Sequence, residues 1–426
     1  MSTDTDKLPD IPFARPVVGA EEEAAVLRAL RSGWLTTGQE ALAFEQEFEE
    51  FLAGTGSGVS LENTLSSIQN NNIRCLAVNS ATSGLHLALE ACGAGPGDTV
   101  LVPSLTFTST AEVARYLGAE PVFVDVAADS FLMDPAALER TLDRLNRGLP
   151  AYKGRGGFGP AGKPRAVIPV HYGGLPCDMR AIVEIARRYD VKVIEDAAHA
   201  FPSRLEDGGF AGTLADAGVF SFYATKTITT GEGGMVAVRD QAIAERVAIM
   251  RSHGIDRAVW NRYTDRKASW YYEVIEPGFK YNLPDLLAAL GRVQLRRAWD
   301  LLEKRRRIAG FYNAAFGEDP RFILPPSGPG NAWHLYPLRL NLANCALSRD
   351  TIIEGLQDRG VGVSVHFIPL HVMPYYRKRH NLLPEDFPES LRQFERVISL
   401  PIWPGMEDAQ IERVIAAVQA AAPGQD

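Results

Sequence analysis

From residue 74 onward, short apolar runs alternate with stretches of helical periodicity. This rhythm constrains the fold more than any other feature of the 426-residue chain. The runs at 74–78, 99–102, 121–126, 166–171, 192–195, 219–222 and 235–238 read as strands. Residues 82–91, 109–117, 135–145 and 179–189 carry helical spacing, and another helix follows Asp240. Strands that alternate with helices imply an α/β fold with a mostly parallel sheet covered on both faces. Right-handed crossovers then bring the strand ends to one rim, where ligands bind in open α/β sheets.

Residues 1–20 read as a loose N-terminal arm, 21–300 as a large domain and 301–426 as a smaller C-terminal α/β domain. Helical patterns at 21–32 and 39–52 open the large domain, and a helix-rich segment at 285–309 closes it. Gly-, Ser- and Asn-rich stretches near 54–72 and 146–164 read as surface insertions. A hydrophobic content of 46% is enough for a large core. The net charge of −8 is spread along the chain, which argues against a nucleic-acid or membrane-surface binder. The basic run Lys304, Arg305, Arg306 and Arg307 reads as the solvated end of a helix. Cys75, Cys92, Cys177 and Cys345 are scattered without C-x-x-C spacing, which fits neither a zinc ribbon nor a disulfide framework. No apolar run is long enough to span a bilayer and no apolar signal core opens the chain, so a soluble cytoplasmic protein is expected. No His/Asp/Glu spacing suggests a metal site, and neither a P-loop nor a G-x-S-x-G elbow is present.

Four segments on the expected rim carry chemistry. EDAAHA (195–200) places Asp196 and His199 just beyond an expected central strand. SFYATKTITTGEGG (221–234) carries Ser221 and a single lysine, Lys226, in a hydroxyl-rich loop with glycines. NSATSGLHLAL (79–89) starts a helix whose free N–H groups suit an anion. VPSLTFTST (102–110) puts Phe107 on another rim loop. Taken singly, Asp196 reads as a turn cap, Lys226 as a surface residue, Thr82 as part of an N-cap and Phe107 as core. Taken together they match pyridoxal phosphate (PLP) chemistry: an amine for an imine, an acid for the ring nitrogen, a flat cover and an anion cradle.

The chain resembles the DegT/DnrJ/EryC1/StrS family of nucleotide-sugar aminotransferases, which are fold type I PLP-dependent transferases. The matching stretches are GWLTTG (33–38), VNSATSGLHLAL (78–89), VPSLTFTST (102–110), PVFVDV (121–126), VHYGGLPCDM (170–179), IEDAAHA (194–200), FSFYATKTITTGEGGM (220–235), RSHGID (251–256), YNLPDLLAALGRVQL (281–295) and VHFIPLH (365–371). The resemblance implies that Lys226 holds PLP covalently and that Asp196 pairs with the ring nitrogen. It places His199 near the ring hydroxyl, Phe107 on the ring, and Ala81, Thr82 and Ser221 on the phosphate. It brings Asn282 to the phosphate from a second subunit, and so implies a homodimer with shared active sites. His371 resembles the substrate-side histidine of the family, with His366 as a neighbour.

The implied reaction moves an amino group, with glutamate as donor, to a 4-keto-6-deoxy or 3-keto hexose on a nucleotide diphosphate. The rival readings are a PLP-dependent sugar dehydratase or lyase and a PLP-binding regulatory protein. The related sugar 3-dehydratases carry histidine where this chain has Lys226. A diphosphate draws attention to Arg251, Arg257, Arg262 and Lys280, whose ordinary reading is solvated surface. Trp260, Trp270, Tyr271 and Tyr272 read equally as a nucleotide platform or as interface packing. His171 reads as a packed, hydrogen-bonded residue, and His86 and His253 as structural ones.

Overall fold

The computed structural model describes residues 10–54, 73–152, 162–206, 208–256, 271–328 and 330–425. The first part of the chain contains α1 (Ala20–Arg31), α2 (Gln39–Leu52), β1 (Arg74–Val78), α3 (Ala81–Ala91), β2 (Asp98–Pro103), α4 (Ser109–Tyr116) and β3 (Glu120–Val124). It continues with α5 (Pro135–Asn146), β4 (Lys163–Val167), α6 (Met179–Arg188), β5 (Lys192–Asp196), β6 (Ala217–Ser221), β7 (Gly234–Val238) and α7 (Gln241–Met250). Then follow α8 (Asp285–Arg296), α9 (Ala298–Phe316), β8 (Phe322–Ile323), β9 (Tyr336–Leu340) and α10 (Arg349–Asp358). The last elements are α11 (Pro374–His380), α12 (Pro388–Arg396), β10 (Val397–Leu400) and α13 (Asp408–Ala421).

Helix starts are set by local chemistry. Asp134, Asp178, Asp240 and Ser348 each accept a backbone N–H at the first turn of α5, α6, α7 and α10, and Pro135 sits at the first position of α5. The expected rhythm of strands and helices matches the structure closely. The fourth strand ends earlier than the 166–171 expectation, at Val167, but the chain stays extended to a bridge between Val170 and Asp196. Of the insertions expected near 54–72 and 146–164, residues 55–72 and 153–161 lie outside the described residues, and β4 already begins at Lys163.

The seven strands order as β1-β7-β6-β5-β4-β2-β3. The pairs from β6 to β3 are parallel, whereas β7 runs antiparallel to both β6 and β1. The reason is the connection: β6 returns to β7 through residues 222–233 without a crossover helix. That same return loop carries Lys226. Strands β6 and β7 are buried on both faces. Val219 and Val236 pack against Gly84 of α3 on one side, while Phe220 meets Phe48 of α2 on the other. Phe48 is fully enclosed, with the rings of Phe44, Phe201, Phe220 and Phe222 between 4.9 and 6.1 Å away. Asp285 of α8 accepts the N–H groups of Gly38, Glu40 and Ala41, so α8 caps α2.

A three-stranded antiparallel sheet, β10-β9-β8, has its own apolar core with α9, α10 and α13. The segment expected as a loose arm docks there. Ile11 is 2% exposed, and its N–H and C=O bond to Gly360 and Gly362 at 2.8 Å each. The helix-rich stretch after Asp285 resolves into two helices that meet at Arg297, and α9 continues through residues 300 and 301 to Phe316. No described helix is long and apolar enough to cross a membrane.

Phe48→Ala removes the ring at the centre of the α2–β6 contact. A destabilisation of about 3–5 kcal/mol is expected, read as a lower urea midpoint with little change in slope.

Candidate active site

The rim of the large sheet collects the chemistry-bearing side chains. Asp196 ends β5 and is 5% exposed. Its Oδ2 accepts the Thr110 hydroxyl at 2.9 Å, and its Oδ1 accepts the Ala198 N–H at 3.1 Å. Thr106 backs Thr110 at 2.9 Å, which completes a hydroxyl chain from the β2–α4 loop. Burial pushes the Asp196 carboxyl above its ordinary range, against the pull of these hydrogen bonds and of Lys226.

Behind Asp196 sits a second carboxylate with a different task. Glu195 is fully buried, and it accepts the N–H groups of Gly212, Leu214 and Ala215 and pairs with His171 Nε2 at 3.0 Å. His171 Nδ1 accepts the Cys177 N–H, so this ring is a packed, hydrogen-bonded residue as the sequence suggested.

Lys226 lies in the β6–β7 return, its backbone N–H closing a turn onto Tyr223. Its amine is pushed down to about 8, first by burial and then by the Arg305 cation, with Asp196 acting in the opposite sense. A desolvated amine of this kind is partly neutral near physiological pH and can act as nucleophile or base.

At the start of α3, Ser80 caps the Ser83 N–H at 3.1 Å. The N–H groups of Ala81 and Thr82 have no partner among the described residues. Ser221, 9% exposed, lies at the end of β6 opposite Gly234 of β7. A Cβ on Gly234 would stand 2.8 Å from the Ala81 nitrogen, so glycine lets β7 approach the helix start. These donors form a cradle for an anion. Asn282 bridges β1 at Val78, and its amide donates to Thr37 Oγ1 at 2.6 Å and accepts from Lys280.

The histidines redistribute. His199 is 7% exposed; its Nδ1 accepts the Gly173 N–H at 3.2 Å, which leaves the proton on Nε2. His371, expected on the substrate side, is 0% exposed. Ser104 engages its Nδ1 and the Pro384 carbonyl its Nε2, so neither nitrogen is left for a substrate. His366 lies nearer the lysine: burial and the Lys226 charge hold it down to about 4, and Ser399 engages its Nδ1 at 2.9 Å. His334, which the sequence did not single out, packs 4.5 Å from the His199 ring. Its neighbour in this corner is Arg305, 2% exposed and bonded to the carbonyls of Trp333, His334 and Ile402. Arg305 therefore departs from the solvated reading of its basic run. Lys304, Arg306 and Arg307 do fit that reading, in exposed ion pairs with Asp300, Glu303 and Asp408.

Phe107 is 56% exposed on its rim loop, with its ring 5.8 Å from Phe367. An exposed phenyl ring beside buried polar groups is available to cover a flat ligand. Arg251 is not a mouth cation: it pairs with Glu45 at 2.5 Å and caps the Ala77 carbonyl. Tyr271 and Tyr272 are exposed, while Arg257, Trp260, Arg262 and Trp270 lie outside the described residues. The arrangement fits a phosphorylated, planar, aldehyde-bearing cofactor: an enclosed carboxylate, an amine of lowered basicity, unpartnered helix N–H groups and a free aromatic face.

Known proteins agree with this architecture. The family model described as the DegT/DnrJ/EryC1/StrS aminotransferase family matches residues 16–419. The chain is 39% identical over 419 residues to the spore coat polysaccharide biosynthesis protein SpsC of Bacillus subtilis, covering 98% of each. Among solved structures, Spr1654 of Streptococcus pneumoniae in its PMP form superposes with a TM-score of 0.81 at 28% identity, covering 97% of this chain and 99% of that one. The same protein is also known in a PLP form. PseC of Helicobacter pylori, an aminotransferase involved in the biosynthesis of pseudoaminic acid, gives a TM-score of 0.79 at 26% identity, with 97% and 99% coverage. With a fold type I sheet, a PLP-ready rim and a family match across nearly its whole length, this chain belongs to the DegT/DnrJ/EryC1/StrS aminotransferase family and is a PLP-dependent enzyme.

Proposed function

We propose that the protein transfers the amino group of L-glutamate to the keto group of a hexose carried on a nucleoside diphosphate, a 4-keto-6-deoxy or 3-keto sugar. The observation that carries the reading is the Lys226 amine, of lowered basicity and electrostatically coupled to the enclosed Asp196 carboxylate. The sugar assignment is supported by relatives in spore coat polysaccharide and pseudoaminic acid biosynthesis. A dehydratase reading is disfavoured because Lys226 is retained.

Lys226 would hold the cofactor covalently and, with its amine free, would carry a proton between the two carbons that flank the transferred nitrogen. Asp196, fixed by Thr110 and Ala198, keeps a proton on the cofactor ring nitrogen. Bound PLP supplies the electron-accepting ring that makes the α-proton removable. His199, with its proton on Nε2, would donate to the ring hydroxyl. Ala81, Thr82 and Ser221 would hold the phosphate, and Phe107 would cover the ring. Asn282 extends this cradle across a homodimer interface, so that two chains share each site. The sequential use of two substrates at one amine gives ping-pong kinetics.

Two outcomes test this. L-Glutamate is expected to convert the PLP absorption band of the holoenzyme to that of the PMP form. The PMP form then aminates one member of a panel of nucleoside-diphosphate keto-hexoses, with the aminated carbon identified by NMR. Lys226→Ala is expected to lower turnover at least ~1,000-fold. A glutamate half-reaction with no amination of any panel member overturns the acceptor assignment.

The second outcome is a pH profile. With its amine at about 8, about a tenth of Lys226 is neutral at pH 7. Covalent capture of PLP by the apoprotein requires that neutral form. The capture rate is therefore expected to rise with pH through a midpoint near 8 and level off above it. Asp196 favours the protonated amine, so Asp196→Asn shifts the midpoint to lower pH. A midpoint at the ordinary lysine value, unmoved in the variant, contradicts the assignment.

A further inference from the structure

We propose that His334 gives a hydrogen bond to the α-carboxylate of the amino-acid donor. The inference rests on the functional reading above and adds a donor-recognition residue to it. His334 is 6% exposed. Neither of its ring nitrogens has a hydrogen-bond partner among the described residues, and Nδ1 is fully enclosed. An imidazole buried without partners is costly unless a ligand completes it.

The ring is held, not loose. Residues 331–335 are stapled to the turn at 173–174: the Ala332 N–H bonds to Gly174 O at 3.0 Å and the Leu335 N–H to Gly173 O at 3.1 Å. The Gly173 N–H in turn bonds to His199 Nδ1, so one turn fixes both rings at their 4.5 Å separation. Gly174, at φ +103°, permits this contact, since a Cβ there would stand 2.9 Å from the Trp333 nitrogen. Trp333 itself adopts a left-handed conformation, φ +49°, with its N–H on Asn331 Oδ1 at 2.8 Å. Arg305 clasps the carbonyls of Trp333 and His334 from behind at 3.3 Å each.

The electrostatics select the ligand group. The groups that act on His334 are Lys226, His199, Arg305 and His366, all of them bases, of which Arg305 carries a fixed charge. Arg305 is buried, and among the described residues it bonds only to carbonyls, never to a carboxylate. A buried cation normally has a counter-charge. Arg305 without a carboxylate partner, behind an imidazole without a hydrogen-bond partner, suits a carboxylate next to the carbon that carries the donor nitrogen.

The test compares L-glutamate with 4-aminobutyrate, which differs only by lacking the α-carboxylate. Single-turnover bleaching of the PLP band is followed in the wild-type holoenzyme, in His334→Phe and in His334→Gln, each with normal PLP absorbance. Wild type is expected to prefer L-glutamate. In His334→Phe the preference falls roughly 10–100-fold through loss of the glutamate rate, while His334→Gln keeps most of it. Amination of a nucleoside-diphosphate 4-keto-6-deoxyhexose by the PMP form is expected to fall less than the glutamate rate in His334→Phe. An unchanged preference in His334→Phe, or a loss confined to the sugar step, overturns the inference while leaving the aminotransferase reading intact. A wild-type holoenzyme bleached by neither amine sinks the functional reading first, and the inference with it.

Discussion

A carboxylate and an amine placed together in the dry end of a parallel sheet impose opposite demands on each other. Burial raises Asp196 and lowers Lys226, while their attraction pulls both back toward the charged forms. The sheet makes this possible. Parallel β5 and β6 deliver Asp196 and Ser221 to one rim, and the antiparallel return to β7 carries the lysine across the same edge. Glu195, one residue before Asp196, points the other way into a cage of three backbone N–H groups and His171. Strand alternation thus separates a structural acid from an electrostatic one in adjacent positions.

Much of this was legible in the chain. Strands β1 to β7 announce themselves because each is a short apolar run bounded by caps and turns. Asp134–Pro135 and Asp178 mark helix starts as plainly in the sequence as in the structure. The direction of β7 was less visible, because periodicity reports burial and not polarity; only the missing helix between 222 and 233 signals the reversal. The arm illustrates a related limit, since one buried residue, Ile11, docks a segment whose composition reads as loose.

The site was legible where its residues follow strand ends and obscure where they come from afar. Asp196, His199, Ser221 and Lys226 occur within one stretch of the chain, and Thr82 and Phe107 follow β1 and β2. His334 and Arg305 arrive from the segment after α8, and nothing in NAWHLYPLR or EKRRR reveals that the fold buries them together beside His199. Arg305 shows how a buried cation hides in a basic run whose other members are solvated. His371 shows the converse: a histidine in a matching motif spends both nitrogens on Ser104 and Pro384, while His366, five residues earlier, feels the Lys226 charge.

The central claim is that one amine, that of Lys226, carries the cofactor. Borohydride reduction of the PLP-loaded protein followed by peptide mass mapping tests it most directly. The account predicts a single stable phosphopyridoxyl adduct on the peptide containing Lys226, at one per chain. An adduct on any other lysine, or a Lys226 peptide left unmodified under conditions where the yellow colour is lost, contradicts it.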